Sequence, residues 1–322
     1  MKKIALTAPD FGQNYDELTV RLAGMGYELV WMPNLIHNET EIIKAIAGFD
    51  GVIAGSEPWT AAAIEGVKDT VKIIARNGVG FDKVDIPAAT RAGVAVTNTP
   101  GKMSVAVAEQ ALSFILCLMR RTIHFDSDVR KGNWRLGITG EFTGKTLGLV
   151  GFGAIAQAFA KLVKGFDLRI LAYDIFGDSQ KAAELGAELT GLDELLRESD
   201  YISVHCPLND DTRGMIGAEF FKKMKNTAFF INTARGGIIR EDELITALKN
   251  GVIAGAGLDV FVEEPIEKDN GLLGLTNVVL APHVASGTKE SMHNMMECCV
   301  ENIVACFEGK RPPNLLNPDI IK

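Results

Sequence analysis

The chain has 322 residues, 47% of them hydrophobic and 23% charged, which is enough for one large or two medium soluble domains with their own cores. Thirty-three Lys and Arg against 41 Asp and Glu give a net charge of -8 with no dense basic run, which argues against a nucleic-acid partner. Five scattered cysteines show neither zinc spacing nor a redox pair, so no metal and a reduced, cytoplasmic setting are expected.

Met1-Lys2-Lys3 leads into an apolar stretch that ends at Pro9-Asp10, too short for a secretory signal and better suited to a first buried strand. Further strand patterns fall at residues 27–32, 51–54, 71–75 and 94–97, with helix patterns between them, for example at 39–47 and 86–92. Asn98-Thr99-Pro100-Gly101 breaks the rhythm like an interdomain joint. A long amphipathic helix is predicted over 105–121; its apolar run carries Glu109 and Gln110 and falls short of a membrane span. A strand at 145–150, a helix at 156–166 and a strand at 168–173 come next, then strands at 201–205, 228–232, 254–259 and 278–281. A final helix at 288–307 is expected to cross back onto the first block. This alternation predicts parallel sheets covered by helices, in two doubly wound α/β domains with a ligand cleft between them.

The strand at 145–150 runs into Gly151-Phe152-Gly153-Ala154-Ile155-Ala156. Glycine lets the backbone turn tightly and come close to a pyrophosphate, and the helix opening there points free N–H groups and its positive end at the phosphates. Such a turn alone also marks ordinary strand-to-helix junctions. Here the second strand ends in Asp174, the acidic residue a dinucleotide site needs for ribose hydroxyls. A carboxylate repels a 2′-phosphate, and Ile175 and Phe176 supply no arginine, so NAD is favoured over NADP.

Reduction of a 2-keto acid by hydride also needs a cation for the carboxylate and carbonyl, a proton donor, and a group that orients that donor. Three strand-end loops carry these residue types. Asn232-Thr233-Ala234-Arg235-Gly236-Gly237 offers a guanidinium fork matched to a carboxylate. The stretch from Asp259 through Glu263-Glu264-Pro265 brings acids, and Ala281-Pro282-His283 brings an imidazole whose proton affinity a neighbouring carboxylate would raise. From the residues alone, a structural histidine and a solvated Glu263-Glu264 pair remain open. His205 is a rival acid, and His37, His124 and His293 have no supporting motif and suit the surface.

With these motifs, above all the order of arginine, aspartate and glutamate between residues 232 and 265, the chain resembles the D-isomer-specific 2-hydroxyacid dehydrogenases, in their phosphoglycerate-dehydrogenase-like branch. The resemblance runs from about residue 71 to 288. It implies a Rossmann-type NAD domain, residues 100–285, inserted into a flavodoxin-like substrate domain of residues 1–99 and 286–322. It also implies that Arg235 binds substrate, that Glu264 partners His283 as acid/base, and that Asp259 contacts the nicotinamide carboxamide. Asn77-Gly78-Val79-Gly80 would hold the substrate carboxylate through backbone amides. Gly151, Gly153, Ala154, Ile155, Asp174, Cys206, Pro207, Thr212, Thr233, Ala234 and Val107 would line the cofactor. His205 matches a non-catalytic position. A homodimer through the cofactor domain is implied, with residues 105–121 and 131–136 as the matching region.

The chain departs from the family pattern at Met103 and Ala106, where asparagine and serine are common. It also carries Gly55 and Glu57 where some phosphoglycerate dehydrogenases place phosphate-gripping arginines. A carboxylate at contact with a phosphate is repulsive by roughly 1 to 4 kcal/mol. The expected substrate is therefore a small 2-keto or 2-hydroxy acid of the 3-phosphoglycerate, hydroxypyruvate/glycerate or glyoxylate type. The alternative is an NAD(H)-sensing binding module on the same fold, of corepressor type. A formate dehydrogenase would pair its histidine with glutamine rather than Glu264.

Overall fold

The computed structural model describes residues 1–8, 15–32 and 38–320; Pro9-Asp10 and His37 lie outside the described residues. The first five strands are short and mostly apolar: β1 (Lys2–Leu6), β2 (Tyr27–Trp31), β3 (Gly51–Ala54), β4 (Ile73–Arg76) and β5 (Ala95–Thr97). They alternate with helices α1 (Tyr15–Gly24), α2 (Glu39–Ile46), α3 (Ala61–Val67) and α4 (Ile86–Ala92). All pairings are parallel in the order β2-β1-β3-β4-β5, the flavodoxin-like winding. The ends of α4 follow from local chemistry: Asp85 accepts the Ala88 N–H at 2.8 Å, Pro87 sits in the first turn, and Gly93 closes the helix in the left-handed conformation.

Two helices follow, α5 (Ser104–Met119) and α6 (Thr122–Arg130), and then β6 (Thr146–Val150), α7 (Ala154–Leu162), β7 (Arg169–Tyr173), α8 (Ser179–Glu184) and β8 (Ala187–Leu189). Next come α9 (Leu192–Glu198), β9 (Tyr201–Val204), α10 (Ala218–Lys223), β10 (Phe229–Asn232), α11 (Glu241–Lys249), β11 (Gly255–Leu258), β12 (Val278–Leu280) and α12 (Lys289–Phe307). The second sheet is also wholly parallel, ordered β12-β11-β10-β9-β6-β7-β8, which is the Rossmann winding with a seventh strand added. The two doubly wound α/β sheets are those expected from the alternation of elements.

The chain divides into two compact units, Met1–Met103 with Thr288–Lys322, and Ser104–Gly287. In the first, α12 returns to the five-stranded sheet. Its Met296, Cys299, Val300 and Ile303 are buried in one cluster with Ile4, Leu6, Ile53 and Ile73. In the second, two apolar clusters cover the sheet, one including Phe220, Phe221 and Phe230, the other joining α5 and α7 through Phe114 and Phe159.

Differences from the sequence reading are local. The helix predicted over 156–166 begins at Ala154 and ends at Leu162; residues 163–166 tighten into a 3-10 turn that stops at Asp167, φ 53°. Neither α6 nor β8 was anticipated. α6 has no buried residue, so no apolar stripe announces it, and β8 is a three-residue edge strand. No described helix is long and apolar enough to cross a membrane.

Because Ile303 is fully buried against the first sheet, Ile303→Ala should cost about 2–5 kcal/mol in denaturant unfolding. A cost below about 0.5 kcal/mol, the range of surface substitutions, would mean that α12 is not part of that core.

Candidate active site

The glycine turn is built on contacts that exclude side chains. Gly151 has φ +90°, its N–H donates to Tyr173 O at 2.8 Å, and a Cβ there would stand 2.7 Å from the Cys206 nitrogen. Gly153 caps α7 with no side chain and open space around the position a Cβ would take, so an anion can reach the first N–H groups of the helix that Ala154 and Ile155 begin. Asp174 follows β7. Its Oδ2 accepts the Phe152 N–H at 2.7 Å and its Oδ1 the Phe176 N–H at 2.8 Å, which fixes the carboxylate and leaves lone pairs for hydroxyl donors.

The loop after β9 is tied internally: the Thr212 hydroxyl donates to Pro207 O at 2.6 Å and accepts from the Asn209 N–H at 2.9 Å. Burial pushes the Cys206 thiol up to about 11, so it stays protonated and unreactive at neutral pH. Thr233 keeps a buried hydroxyl with no partner among the described residues, a group a ligand could satisfy. Val107 is buried in α5. The bare glycine cradle, the open helix end and the orphan hydroxyl fit a dinucleotide; when bound, NADH supplies the hydride.

His205 does not suit an acid role. Both ring nitrogens are out of solvent with no partner among the described residues, and Phe159 packs against the ring with centroids 5.9 Å apart. Burial drives its pKa down to about 3, so the ring is neutral at physiological pH.

The loops carrying the other candidates leave three neighbouring strands, β10, β11 and β12, at their carboxyl ends. After β10, the buried Asn232 side chain closes a turn: Nδ2 donates to Arg235 O at 2.9 Å and Oδ1 accepts the Ala234 N–H at 2.9 Å. Arg235 is half-buried, with Nη1 donating to Ala234 O at 2.8 Å. A Cβ on Gly236 would overlap the Phe261 carbonyl, so only glycine lets the Arg235 loop lie on the backbone leading to Glu264.

Glu264, whose bond to Pro265 is cis, uses both carboxylate oxygens. Oε1 accepts the Phe261 N–H at 3.1 Å, and Oε2 lies 2.8 Å from His283 Nδ1. That pairing places the ring proton on Nδ1 and leaves Nε2 outside the contact. His283 is 43% exposed at its side chain and has φ 53°, a left-handed conformation that costs a non-glycine residue of order 1–3 kcal/mol. Asp259, fully buried at the end of β11, meets the same turn: its main-chain oxygen accepts the His283 N–H at 2.7 Å, and its side chain accepts the N–H groups of Val284 and Ala285 at 2.9 Å each. Burial raises the Asp259 carboxyl above the usual carboxylate range, opposed by those two amides.

The Asn77–Gly80 segment belongs to the first unit. Asn77 N–H donates to Ala54 O at 2.8 Å, Gly78 has φ +151°, and Thr99 N–H and Asn98 Nδ2 hold the carbonyls of Gly78 and Val79 at 3.1 and 2.8 Å. Among the described residues the N–H groups of Val79 and Gly80 donate to no protein acceptor, and Asn77 Oδ1 is buried without a partner. The two N–H groups are donors a carboxylate can take.

One expectation needs correction. Glu57 does not present its charge from the loop after β3: it is buried and accepts from Thr7 Oγ1, from the Gly55 N–H at 3.1 Å and from Trp59 Nε1 at 3.3 Å. A side chain at Gly55 would meet Glu57 Oε2 at 2.8 Å and Thr7 O at 3.2 Å. The loop lacks a phosphate-gripping arginine because its own anchor fills that space.

Two supporting roles escaped the sequence reading, the Asn232 turn and the capture of the His283 segment by Asp259. An Asn at a strand end followed by a turn is a signal that could have found the first. The second requires the fold.

Residues 112–285 match the model of the D-isomer specific 2-hydroxyacid dehydrogenase NAD binding domain. A glyoxylate reductase from Korarchaeum cryptofilum is 40% identical over 91% of this chain and 90% of its own. A D-3-phosphoglycerate dehydrogenase from Archaeoglobus fulgidus is 38% identical over 86% of this chain and 53% of its own. The crystal structure of D-lactate dehydrogenase with NAD+ from Lactobacillus jensenii superposes with TM-score 0.80 at 29% identity, over 98% of this chain and 99% of that one.

Gly236→Ala should abolish turnover and sharply lower soluble yield, because backbone rather than a movable side chain occupies the space; an active, stable variant would overturn the loop geometry. His205 gives a pH signature in the cofactor-free protein. The folded chain binds its proton less readily than the unfolded chain, so the stabilisation is complete above about pH 6.5 and is lost as pH falls toward 3. Between about pH 6.5 and 5 the wild type should lose about 2 kcal/mol more than His205→Asn in urea unfolding. Parallel pH profiles would contradict the buried neutral ring.

Proposed function

Since the chain belongs to the D-isomer specific 2-hydroxyacid dehydrogenases, we propose that it interconverts a small, unphosphorylated 2-keto acid and its D-2-hydroxy acid, with glyoxylate and hydroxypyruvate as the leading keto substrates. It is an NAD-dependent oxidoreductase acting on the CH–OH group. The reading rests above all on the 2.8 Å pairing of Glu264 Oε2 with His283 Nδ1, on strand ends next to the Arg235 loop.

In this reading Arg235 binds the substrate carboxylate and polarises the carbonyl with its planar fork. His283 Nε2 gives its proton to the carbonyl oxygen during reduction and takes it back from the hydroxyl during oxidation. Glu264 keeps Nδ1 protonated and offsets the charge of the imidazolium. The N–H groups of Val79 and Gly80 hold the substrate carboxylate. Gly151, Gly153, Asp174, Cys206, Pro207, Thr212, Thr233, Ala234 and Val107 line the cofactor. The preference for unphosphorylated acids is supported by the bare backbone at Gly55 and the inward Glu57, and by relatives named glyoxylate reductase.

The same reading includes a homodimer formed through the cofactor domain. Trp134, Leu136 and Ile138 are almost fully exposed in a segment without regular secondary structure, apolar surface that a second copy could cover. Five free cysteines suit a reducing, cytoplasmic setting.

The test is loss of NADH absorbance with a panel of 2-keto acids. Glyoxylate and hydroxypyruvate should turn over faster than 3-phosphohydroxypyruvate, and NADH should be preferred to NADPH. His283→Ala and Arg235→Ala should each lower kcat/KM by roughly 10²- to 10⁴-fold while NADH binding persists. NADH binding with no turnover on any keto acid would leave the sensing module in its place.

A further inference from the structure

We propose that Asp259 is the positioning residue for His283, holding the imidazole in register with Glu264 through the backbone. The inference rests on the acid/base reading of His283 and goes beyond it, because it assigns Asp259 a task toward the protein in addition to the nicotinamide contact that the resemblance implies.

Three consecutive N–H groups, those of His283, Val284 and Ala285, all donate to this one residue, at 2.7, 2.9 and 2.9 Å. The left-handed His283 makes these amides converge, the arrangement that elsewhere forms an anion nest; here the anion is a side chain of the same protein. Asp259 is fully buried and is itself pinned, its N–H donating to Asn232 O at 3.0 Å in line with the β10–β11 ladder. The sheet therefore fixes Asp259, Asp259 fixes the 283–285 turn, and the turn delivers Nδ1 to within 2.8 Å of Glu264 Oε2. No regular ladder holds these residues, which follow the last strand, so the carboxylate replaces the missing sheet partner.

Both side-chain oxygens matter, which makes Asp259→Asn informative. The amide keeps one acceptor but turns a donor toward the second N–H, leaving two donors facing each other. We expect kcat to fall roughly 10- to 100-fold at saturating NADH and keto acid, the dissociation constant for NADH by fluorescence to stay within about threefold, and the pH profile of kcat to shift as the Glu264 pairing loosens. Asp259→Ser, with a single short acceptor, serves as the second variant.

Two outcomes would overturn the inference: wild-type kcat in Asp259→Asn, or a loss of NADH affinity that accounts for the whole defect. His283→Ala run in parallel separates the failures. If it turns over normally, the acid/base reading itself is wrong; if it is inactive while Asp259→Asn is normal, only the positioning role is wrong. Hydrogen exchange on the wild type needs no variant. The Val284 and Ala285 amides should be protected without NADH and remain so at saturating NADH, whereas loss of protection on binding would show the carboxylate leaving them for the cofactor.

Discussion

Backbone N–H groups that leave a sheet must find other acceptors, and at the carboxyl ends of β10, β11 and β12 they find side chains. Asn232 takes the Ala234 N–H, Glu264 takes the Phe261 N–H, and Asp259 takes those of Val284 and Ala285. Each acceptor belongs to a loop that also carries a candidate chemical group. Satisfying the backbone and orienting the site are thus one arrangement. The close approach of Gly236 to the Phe261 carbonyl locks two of these loops together, so the site tolerates little adjustment of any single one.

The first unit uses the same physics for a different end. Around the close of β3, a buried carboxylate gathers a threonine hydroxyl, a glycine amide and an indole N–H. This leaves the loop without an outward cation and leaves Gly55 no room for one. Beside it, among the described residues, the N–H groups of Val79 and Gly80 in the loop after β4 donate to no protein acceptor.

Much of the fold was legible because its signals are local. Short apolar runs alternate with helix patterns along most of the chain. Gly151 and Gly153 stood out because a turn meant for a pyrophosphate makes strict demands on backbone conformation, and Asp174 because a carboxylate at that strand end suits ribose hydroxyls. What stayed hidden depends on packing. The fully unburied α6 and the three-residue β8 carry no clear periodic pattern, and the environment of Glu57 depends on Thr7, 50 residues away in sequence. The chemistry of His205 was equally invisible, since burial decides its protonation and no motif reports burial.

The discontinuity of the first unit has a consequence for synthesis. Translation delivers β1 to β5 early, yet the helix that seals one apolar face of their sheet, with Met296, Cys299, Val300 and Ile303, emerges only after the whole Ser104–Gly287 unit. On the ribosome the inserted unit has all seven strands in hand before its host has its last structural layer. The nascent sheet therefore waits with part of its greasy surface bare, an interval in which chaperone shielding matters more for this chain than for one whose domains follow one another in sequence.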